Sequence, residues 1–195
     1  MLDRLKEYRA AQDSTKVASQ DFMVQSPNST PTHWKPPRSP FCKINFDGAI
    51  FQDRKMASIG VVIRNSGGHV IGALSDRINL PATVDDVEAL ACRKAISFAL
   101  ELGLANVVFE GDSETIIQAL NEDSNCANTF GHIIEDIRAL ALNFVSFCFS
   151  HVKRQGNAVA DKLAKLAKDS HCPCYWSDGI HCDVQNLVIS DRSFC

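Results

Sequence analysis

The stretch KINFDGA, residues 43–49, alternates polar and apolar side chains up to Asp47, which is the pattern of a half-buried β-strand. A β-branched run at 59–64 and a further run from Val70 follow it, and the turn-forming residues of 65–68 separate the two runs. Short turns between successive strands are typical of antiparallel pairing. We therefore expect the first three strands to form an antiparallel meander.

Beyond the meander, the sequence alternates between helical and strand patterns. Apolar residues recur at three- and four-residue steps over 85–102, with Thr83 before them and Gly103 after them, which predicts a helix with both ends specified. The other predicted elements are a strand at 107–109, a helix led by Asp112, a helix around 133–141, a strand at 145–149 and a helix from Ala158 to Lys168 capped by Asn157. The order βββαβααβα indicates an α/β layered domain.

The two ends of the sequence differ in composition from this central part. Five of the seven prolines lie before residue 41, in a stretch also rich in serine and threonine, so 24–40 is predicted to be an extended linker. We expect residues 1–40 to be a flexible N-terminal segment that includes this Pro-rich linker. Residues 41–170 are expected to form the folded domain, and 171–195 a C-terminal tail.

The composition fits an intracellular protein with one core. The 195 residues are 45% hydrophobic and carry a net charge of -3, so any contact with nucleic acid must rest on a local basic patch. There is no signal-peptide pattern and no apolar run of membrane-spanning length, so we expect no membrane association and a location in the nucleus or the cytoplasm. The eight cysteines are expected to be reduced thiols. The spacing of Cys172 and Cys174 before His181 and Cys182 is unlike that of the usual zinc sites, which disfavours zinc.

Four acidic residues lie at the ends or in the first turns of predicted elements. Asp47 before a glycine fits a turn, Asp112 fits a helix cap, and Asp161 fits an i,i+4 pair with Lys165, so each has a purely structural explanation. Glu88 is harder to explain in this way, because it lies on or beside the small-residue face by which its helix should pack. A carboxylate in that position needs a hydrogen-bond donor or a cation, and a divalent metal ion would serve.

These acids occur within four sequence motifs: NFDGA (45–49), VEALACRKAISFAL (87–100), EGDSETIIQAL (110–120) and HVKRQGNAVADKLAKLA (151–167). Together the motifs resemble type 1 ribonuclease H, and most closely the ribonuclease H domains of plant non-long-terminal-repeat retrotransposons and their host-encoded relatives. The resemblance spans about residues 42–169 and agrees with the predicted element order. It implies the ribonuclease H-like fold, in which helices flank a five-stranded mixed sheet with three antiparallel strands followed by two parallel ones.

The resemblance also implies a specific chemistry. Asp47, Glu88, Asp112 and Asp161 carry over as the catalytic, metal-binding carboxylates of a site that takes two Mg²⁺ or Mn²⁺ ions, both of which prefer oxygen ligands. The implied activity is metal-dependent, endonucleolytic hydrolysis of the RNA strand of RNA–DNA hybrids, which leaves a 5′ phosphate and a 3′ hydroxyl. We expect a monomer that binds the hybrid and needs no small-molecule cofactor.

Substrate contacts are expected mainly near the last of these aspartates. Residues 151–168 contain five basic side chains against a single acid, and this local excess would attract phosphates. The lysines of the last helix also fit an ordinary solvated helix face. The residues predicted to contact nucleic acid are Asn45, Gly48, Lys153, Arg154 and Asn157.

The loop that precedes Asp161 departs from the bacterial-type pattern. It is short and lacks the histidine that helps product release in many members; Arg154 lies nearest that place, and His151 is at the strand end. We therefore expect turnover that is slow or differently assisted. The alternative function is a catalytically weak or inactive nucleic-acid-binding module of retroelement origin. A proofreading-type exonuclease is disfavoured, because the segment 47–49 has no second acid.

Overall fold

The structure, a computed structural model, describes residues 32–122, 129–170 and 172–193. Its strands are β1 (Cys42–Phe51), β2 (Met56–Arg64), β3 (Val70–Asn79), β4 (Asn106–Gly111), β5 (Ser146–His151) and β6 (Cys174–Ser177). Its α-helices are α1 (Val84–Glu101), α2 (Glu114–Asn121), α3 (Gly131–Ala141), α4 (Ala158–Leu166) and α5 (Cys182–Ser193). Short 3-10 turns occur at Gln52–Arg54, Arg154–Asn157 and Ala167–Asp169.

The strands form one mixed sheet in the order β5-β4-β1-β2-β3-β6. Strands β1, β2 and β3 pair antiparallel, whereas β4 lies parallel to both β1 and β5. This arrangement confirms the predicted meander, the two parallel strands and the predicted fold class. The predicted strand count is wrong by one, because β6 pairs antiparallel with residues 72–75 of β3. The sequence CYWS of β6 does not alternate polar and apolar residues, so no period-two pattern identifies this strand.

Helix α1 begins and ends where the sequence predicts. The Thr83 side chain accepts a hydrogen bond from the Asp86 backbone N–H, and the Asp86 carboxylate accepts one from the Thr83 N–H, which makes a capping box. Just after the helix, Gly103 has a φ of 68°, a conformation that glycine adopts without steric cost. In the described part of the chain, no helix combines the length and the apolar character needed to cross a membrane.

Helices cover both faces of the sheet, and β2 shows why. Ile59, Val61 and Ile63 belong to the larger hydrophobic cluster, which they share with residues of α1, α2 and α3. Val62 belongs to a smaller cluster with residues of α4 and α5. Because side chains alternate along a strand, each helix layer packs on one face.

Gly60 of β2 lets α4 lie directly on the strand. A Cβ atom at this position would overlap the Ala160 carbonyl oxygen and the Ala164 backbone nitrogen. On either side, Ser58 and Ser75 donate hydrogen bonds to the carbonyl oxygens of Ala164 (2.6 Å) and Leu163 (2.7 Å). These contacts fix the height of α4, the helix that carries Asp161, above the sheet.

The packed unit extends beyond the predicted domain boundaries. Trp34 is fully buried and Pro37 is buried, although both lie in the predicted linker. The predicted C-terminal tail forms β6 and α5, and Val184 of α5 is fully buried. These apolar residues lie among prolines or on a short helix. They pack against parts of the protein that are distant in the sequence, and local patterns do not reveal such contacts. Residues 1–31, where the rest of the predicted flexible segment lies, are outside the described residues.

Candidate active site

Asp47 and Asp112 come together through the parallel pairing of β1 with β4. The register aligns Asn45 with Glu110, so two residues further along the chain Asp47 and Asp112 become neighbours. Asp112 follows directly after β4, and Asp47 is only 5% exposed. The sheet topology therefore joins two aspartates that are distant in the sequence.

Glu88 reaches the same place from α1. A Cβ atom on Gly48 would lie 2.5 Å from Val87 Cγ1, so the glycine is what allows the first turns of α1 to approach β1. The Gly48 backbone N–H donates a hydrogen bond to the Glu88 carboxylate. Carboxylate oxygens of Asp47, Glu88 and Asp112 all lie within 4.8 Å of one another. The structure thus places three of the four predicted ligands in one cluster, which we call the carboxylate cluster.

The electrostatics of the carboxylate cluster favour a bound cation. Burial, together with the negative charges of Glu88, Asp112 and Asp161, raises the pKa of Asp47 to about 9. Burial and the charges of Asp112 and Asp85 raise the pKa of Glu88 to about 8, although the Gly48 N–H and Arg154 act in the opposite direction. A divalent cation would remove these costs, because it stabilises the ionised form of every carboxylate that it binds.

One oxygen of this cluster is an orphaned acceptor. Glu88 Oε2 is buried and has no hydrogen-bond partner among the described residues. Because a buried carboxylate oxygen without a donor is costly, this atom fits a metal ligand better than a structural acceptor. An all-oxygen donor set suits Mg²⁺ or Mn²⁺ rather than zinc.

Asp161, the fourth predicted ligand, is adjacent to the carboxylate cluster but is not part of it. Its charge contributes to the raised pKa of Asp47. Its carboxylate pairs with Lys165 Nζ at 2.6 Å and with Arg154 Nη2 at 3.7 Å, and its side chain is 22% exposed. The i,i+4 pair is the structural alternative that the sequence also offers. Asp161 is therefore at the rim of the cluster, held by two cations.

Two residues predicted to contact nucleic acid are buried instead. Asn45 is fully buried and Asn157 is 1% exposed. The Asn157 amide donates to the Phe46 carbonyl oxygen at 2.9 Å and accepts a hydrogen bond from the Asn45 amide at 3.2 Å. Both side chains are therefore bonded within the protein in this arrangement, and their contact with nucleic acid stays a prediction. Asn157 occupies the predicted N-cap position of α4, although its side chain makes no capping hydrogen bond with the described residues.

The other predicted contacts have different surroundings. Lys153 is exposed and the Arg154 side chain is 77% exposed, so both can reach a ligand beside Asp161. The close approach of α1 explains why residue 48 is a glycine. The contact of Gly48 with nucleic acid stays a prediction. His151, to which the sequence assigns no role, places Nε2 3.2 Å from the Asp112 carbonyl oxygen. The parallel pairing of β5 with β4 brings it there.

The C-terminal region contains a second group of candidate metal ligands. One ligand atom from each of His181, Cys182 and Asp183 lies within 4.8 Å of the other two. The three residues are consecutive in the sequence, and Cys182 and Asp183 are exposed. Structural zinc sites use four ligands, and the grouping supplies three from the described residues.

The chain resembles known proteins in both sequence and structure. Residues 45–167 match the sequence profile of a family described as reverse transcriptase-like. No curated protein sequence gives a significant match.

Among solved structures, ribonuclease H1 from the halophilic archaeon Halobacterium salinarum is 26% identical, with a TM-score of 0.61 over 66% of this chain and 98% of the archaeal chain. An N-terminal ribonuclease H domain from Mycobacterium tuberculosis is 22% identical, with a TM-score of 0.60 over 66% of this chain and 94% of that one. LC11 ribonuclease H1, isolated from compost and solved in complex with an RNA/DNA hybrid, is 24% identical, with a TM-score of 0.57 over 64% of this chain and 94% of its own.

Proposed function

This chain belongs to the reverse transcriptase-like family and has the type 1 ribonuclease H fold, and from that premise we propose that it is a metal-dependent endoribonuclease acting on the RNA strand of RNA–DNA hybrids. The carboxylate cluster is the observation that carries the proposal. A module that only binds nucleic acid gains nothing from three acids whose oxygens lie within 4.8 Å of one another, because their mutual repulsion and burial destabilise the fold. A site for hydrolysis by divalent ions requires such a cluster.

In the proposed mechanism, Asp47, Glu88 and Asp112 hold the ions through their carboxylate oxygens, and Glu88 Oε2 has no other partner among the described residues. A bound pair of Mg²⁺ or Mn²⁺ ions would activate a water molecule for attack on the scissile phosphate and stabilise the departing 3′ oxygen. Because the two aspartates are fixed by paired strands, the ligands need little rearrangement when an ion binds. The products would carry a 5′ phosphate and a 3′ hydroxyl.

Asp161 has a conditional part in this mechanism. To act as a fourth ligand, the Asp161 carboxylate would have to release Lys165 and Arg154 and bind a metal ion in their place. Exposed ion pairs of this kind contribute only about 0.2–1 kcal/mol, so the exchange is not prohibitive. We propose that Lys165 competes with the metal at this position and raises the metal concentration that the enzyme needs.

The proposed substrate contacts lie in the loop before α4. Lys153 and Arg154 are exposed, and Arg154 is 3.7 Å from the Asp161 carboxylate. Their charges would bind phosphates beside the cleavage site through sequence-independent contacts. A single local patch accounts for nucleic-acid binding by a chain with a net charge of -3.

The alternative, a catalytically weak or inactive hybrid-binding module of retroelement origin, has one supporting observation. Asp161 is already neutralised by two cations and lies outside the carboxylate cluster. If that pairing persists in the presence of metal, the site has three ligands and weaker affinity for a second ion.

A substrate panel separates the two functions. End-labelled RNA–DNA hybrid, duplex DNA and duplex RNA are incubated with the protein in Mg²⁺, in Mn²⁺ and in chelator. We expect cleavage of the RNA strand of the hybrid alone, and only with a divalent ion present. Binding of the hybrid without cleavage under all conditions would establish the alternative, and cleavage of duplex DNA would refute the proposed specificity.

A further inference from the structure

A network of polar side chains, five of them buried and Asp191 half-buried, connects the C-terminal helix to the region of the active site. Its members are Asp191 of α5, Arg64 of β2, Asn45 of β1 and Asn157 just before α4, with Lys43 and Glu110 bonded at one side. We call these six residues the buried polar network. None of them is a proposed metal ligand.

Arg64 is the centre of the network. Its side chain is fully inaccessible, and its guanidinium donates to Asp191 Oδ2 at 2.6 Å and to Asn45 Oδ1 at 2.9 Å. The guanidinium carbon also lies 3.7 Å from the centre of the Trp34 ring, which is itself fully buried. A planar guanidinium can satisfy a carboxylate, an amide and a ring face at once, which a lysine cannot do. Arg64 therefore joins β1 to two segments that flank the sequence matched to the family.

The two asparagines extend this connection to the active site. The Asn45 amide nitrogen donates to Asn157 Oδ1 and, at 3.0 Å, to Glu110 Oε2. Asn157 in turn donates to the Phe46 carbonyl oxygen, on the residue that precedes Asp47. Asn157 also precedes α4, which carries Asp161. The amide pair thus sets the distance between the strand of one proposed ligand and the helix of another.

We propose that Arg64, held by Asp191 and Trp34, is a positioning residue that keeps the Asp47 strand and the Asp161 helix in register through the Asn45–Asn157 pair. The catalytic unit then includes the segment around residue 34 and helix α5, both of which lie outside the family match at 45–167. The part of this inference that concerns catalysis rests on the proposed function. The structural coupling does not.

The test compares two substitutions on the same helix. Asp191→Ala removes the carboxylate partner of Arg64, whereas Val184→Ala removes a fully buried side chain of α5 that takes no part in the network. Both weaken the packing of the helix, so Val184→Ala controls for a general loss of stability. Asp191→Asn retains an acceptor for Arg64 and serves as the conservative rescue. If Asp191→Ala does not fold, the double variant Arg64→Leu and Asp191→Leu takes its place as the test variant, because it removes the network without leaving an unpaired buried charge.

Backbone hydrogen exchange of residues 46–49 and 157–161 measures the coupling without any requirement for activity. We expect exchange to be at least about tenfold faster in Asp191→Ala than in Val184→Ala, and largely restored in Asp191→Asn, because local opening follows the loss of specific contacts. Equal protection of both segments in Asp191→Ala and Val184→Ala would overturn the proposal. A wild-type protein that cleaves no hybrid would refute the proposed function, while the exchange data would still decide the coupling.

In an active protein, kinetics supply the second readout. We expect kcat per folded molecule to fall about tenfold or more in Asp191→Ala, with KM for the hybrid within about twofold, because misplaced ligands impair the reaction more than substrate binding. Val184→Ala should keep the wild-type kcat per folded molecule. Faster exchange in Asp191→Ala with an unchanged kcat would show that the network is structural only and would overturn its positioning role.

Discussion

Replacing Asp47 by asparagine should stabilise the metal-free protein while abolishing the proposed activity. In the folded protein the pKa of Asp47 is raised from 3.8 to about 9, mainly by burial and then by Glu88, Asp112 and Asp161. A carboxyl with a higher pKa in the folded state binds a proton on folding between the two values. The contribution of Asp47 to stability is therefore greatest below pH 3.8 and falls as the pH rises toward about 9.

The magnitude follows from proton linkage. Each pH unit inside this window costs about 1.4 kcal/mol for one proton taken up, so the rise from pH 5 to pH 7 costs about 3 kcal/mol through Asp47 alone. Asparagine is neutral and of similar shape, and it does not titrate. Between pH 5 and pH 7, the free energy of unfolding of Asp47→Asn should therefore fall by about 3 kcal/mol less than that of the wild type. Divalent ions should stabilise the wild type far more than the variant.

Urea unfolding in chelator at several values of pH, followed by circular dichroism, measures this difference. Asp136→Asn is the matched control, because Asp136 is a surface residue of α3 paired with Arg93, and its replacement should change stability by about 0.5 kcal/mol or less. Parallel pH profiles of wild type and Asp47→Asn would refute the account of a buried, mutually repelling carboxylate cluster.

Three further variants test other parts of the account. Gly60→Ala should destabilise the fold by about 1–3 kcal/mol in urea unfolding, because its Cβ overlaps the backbone of α4; a neutral effect would mean that α4 is free to move. Lys165→Gln should lower the half-saturating Mg²⁺ concentration about twofold to fivefold by releasing Asp161, and an unchanged value would remove Lys165 as a competitor. The double variant Lys153→Gln and Arg154→Gln should weaken hybrid binding and reduce its salt slope by about 1–2, whereas an unchanged slope would place the phosphate contacts elsewhere.

Much of the candidate site is predicted by the four motifs in their order and by the resemblance that they carry, because local patterns alone leave Asp47, Asp112 and Asp161 with structural explanations. The ribonuclease H-like fold that the resemblance implies places the first and fourth strands side by side, and the parallel pairing of β1 with β4 agrees with it. The helical period brings Glu88 to the packing face of α1. The pairing of Asp161 with Lys165 follows from i,i+4 spacing alone.

What the sequence does not predict depends on contacts between distant residues. Asn45 and Asn157 are predicted from the sequence as substrate contacts, and only the structure shows that both are buried and hydrogen-bonded to each other. Arg64 ends an apolar strand and would be expected at the surface. Its burial requires both Trp34 and Asp191, which come from opposite ends of the described chain. The periodicity of apolar residues within one helix or strand does not predict a contact among three distant segments.

The most direct test of the central claim is the cleavage rate of a labelled RNA–DNA hybrid by three proteins, measured in Mg²⁺ and in chelator. The wild type and Asp136→Asn should cleave the RNA strand at equal rates in Mg²⁺ and not at all in chelator. Asp47→Asn should show no cleavage above background while remaining folded, because it lacks one of the clustered ligands. Cleavage by Asp47→Asn at the wild-type rate, or cleavage that persists in chelator, would contradict the assignment of the carboxylate cluster as the catalytic metal site.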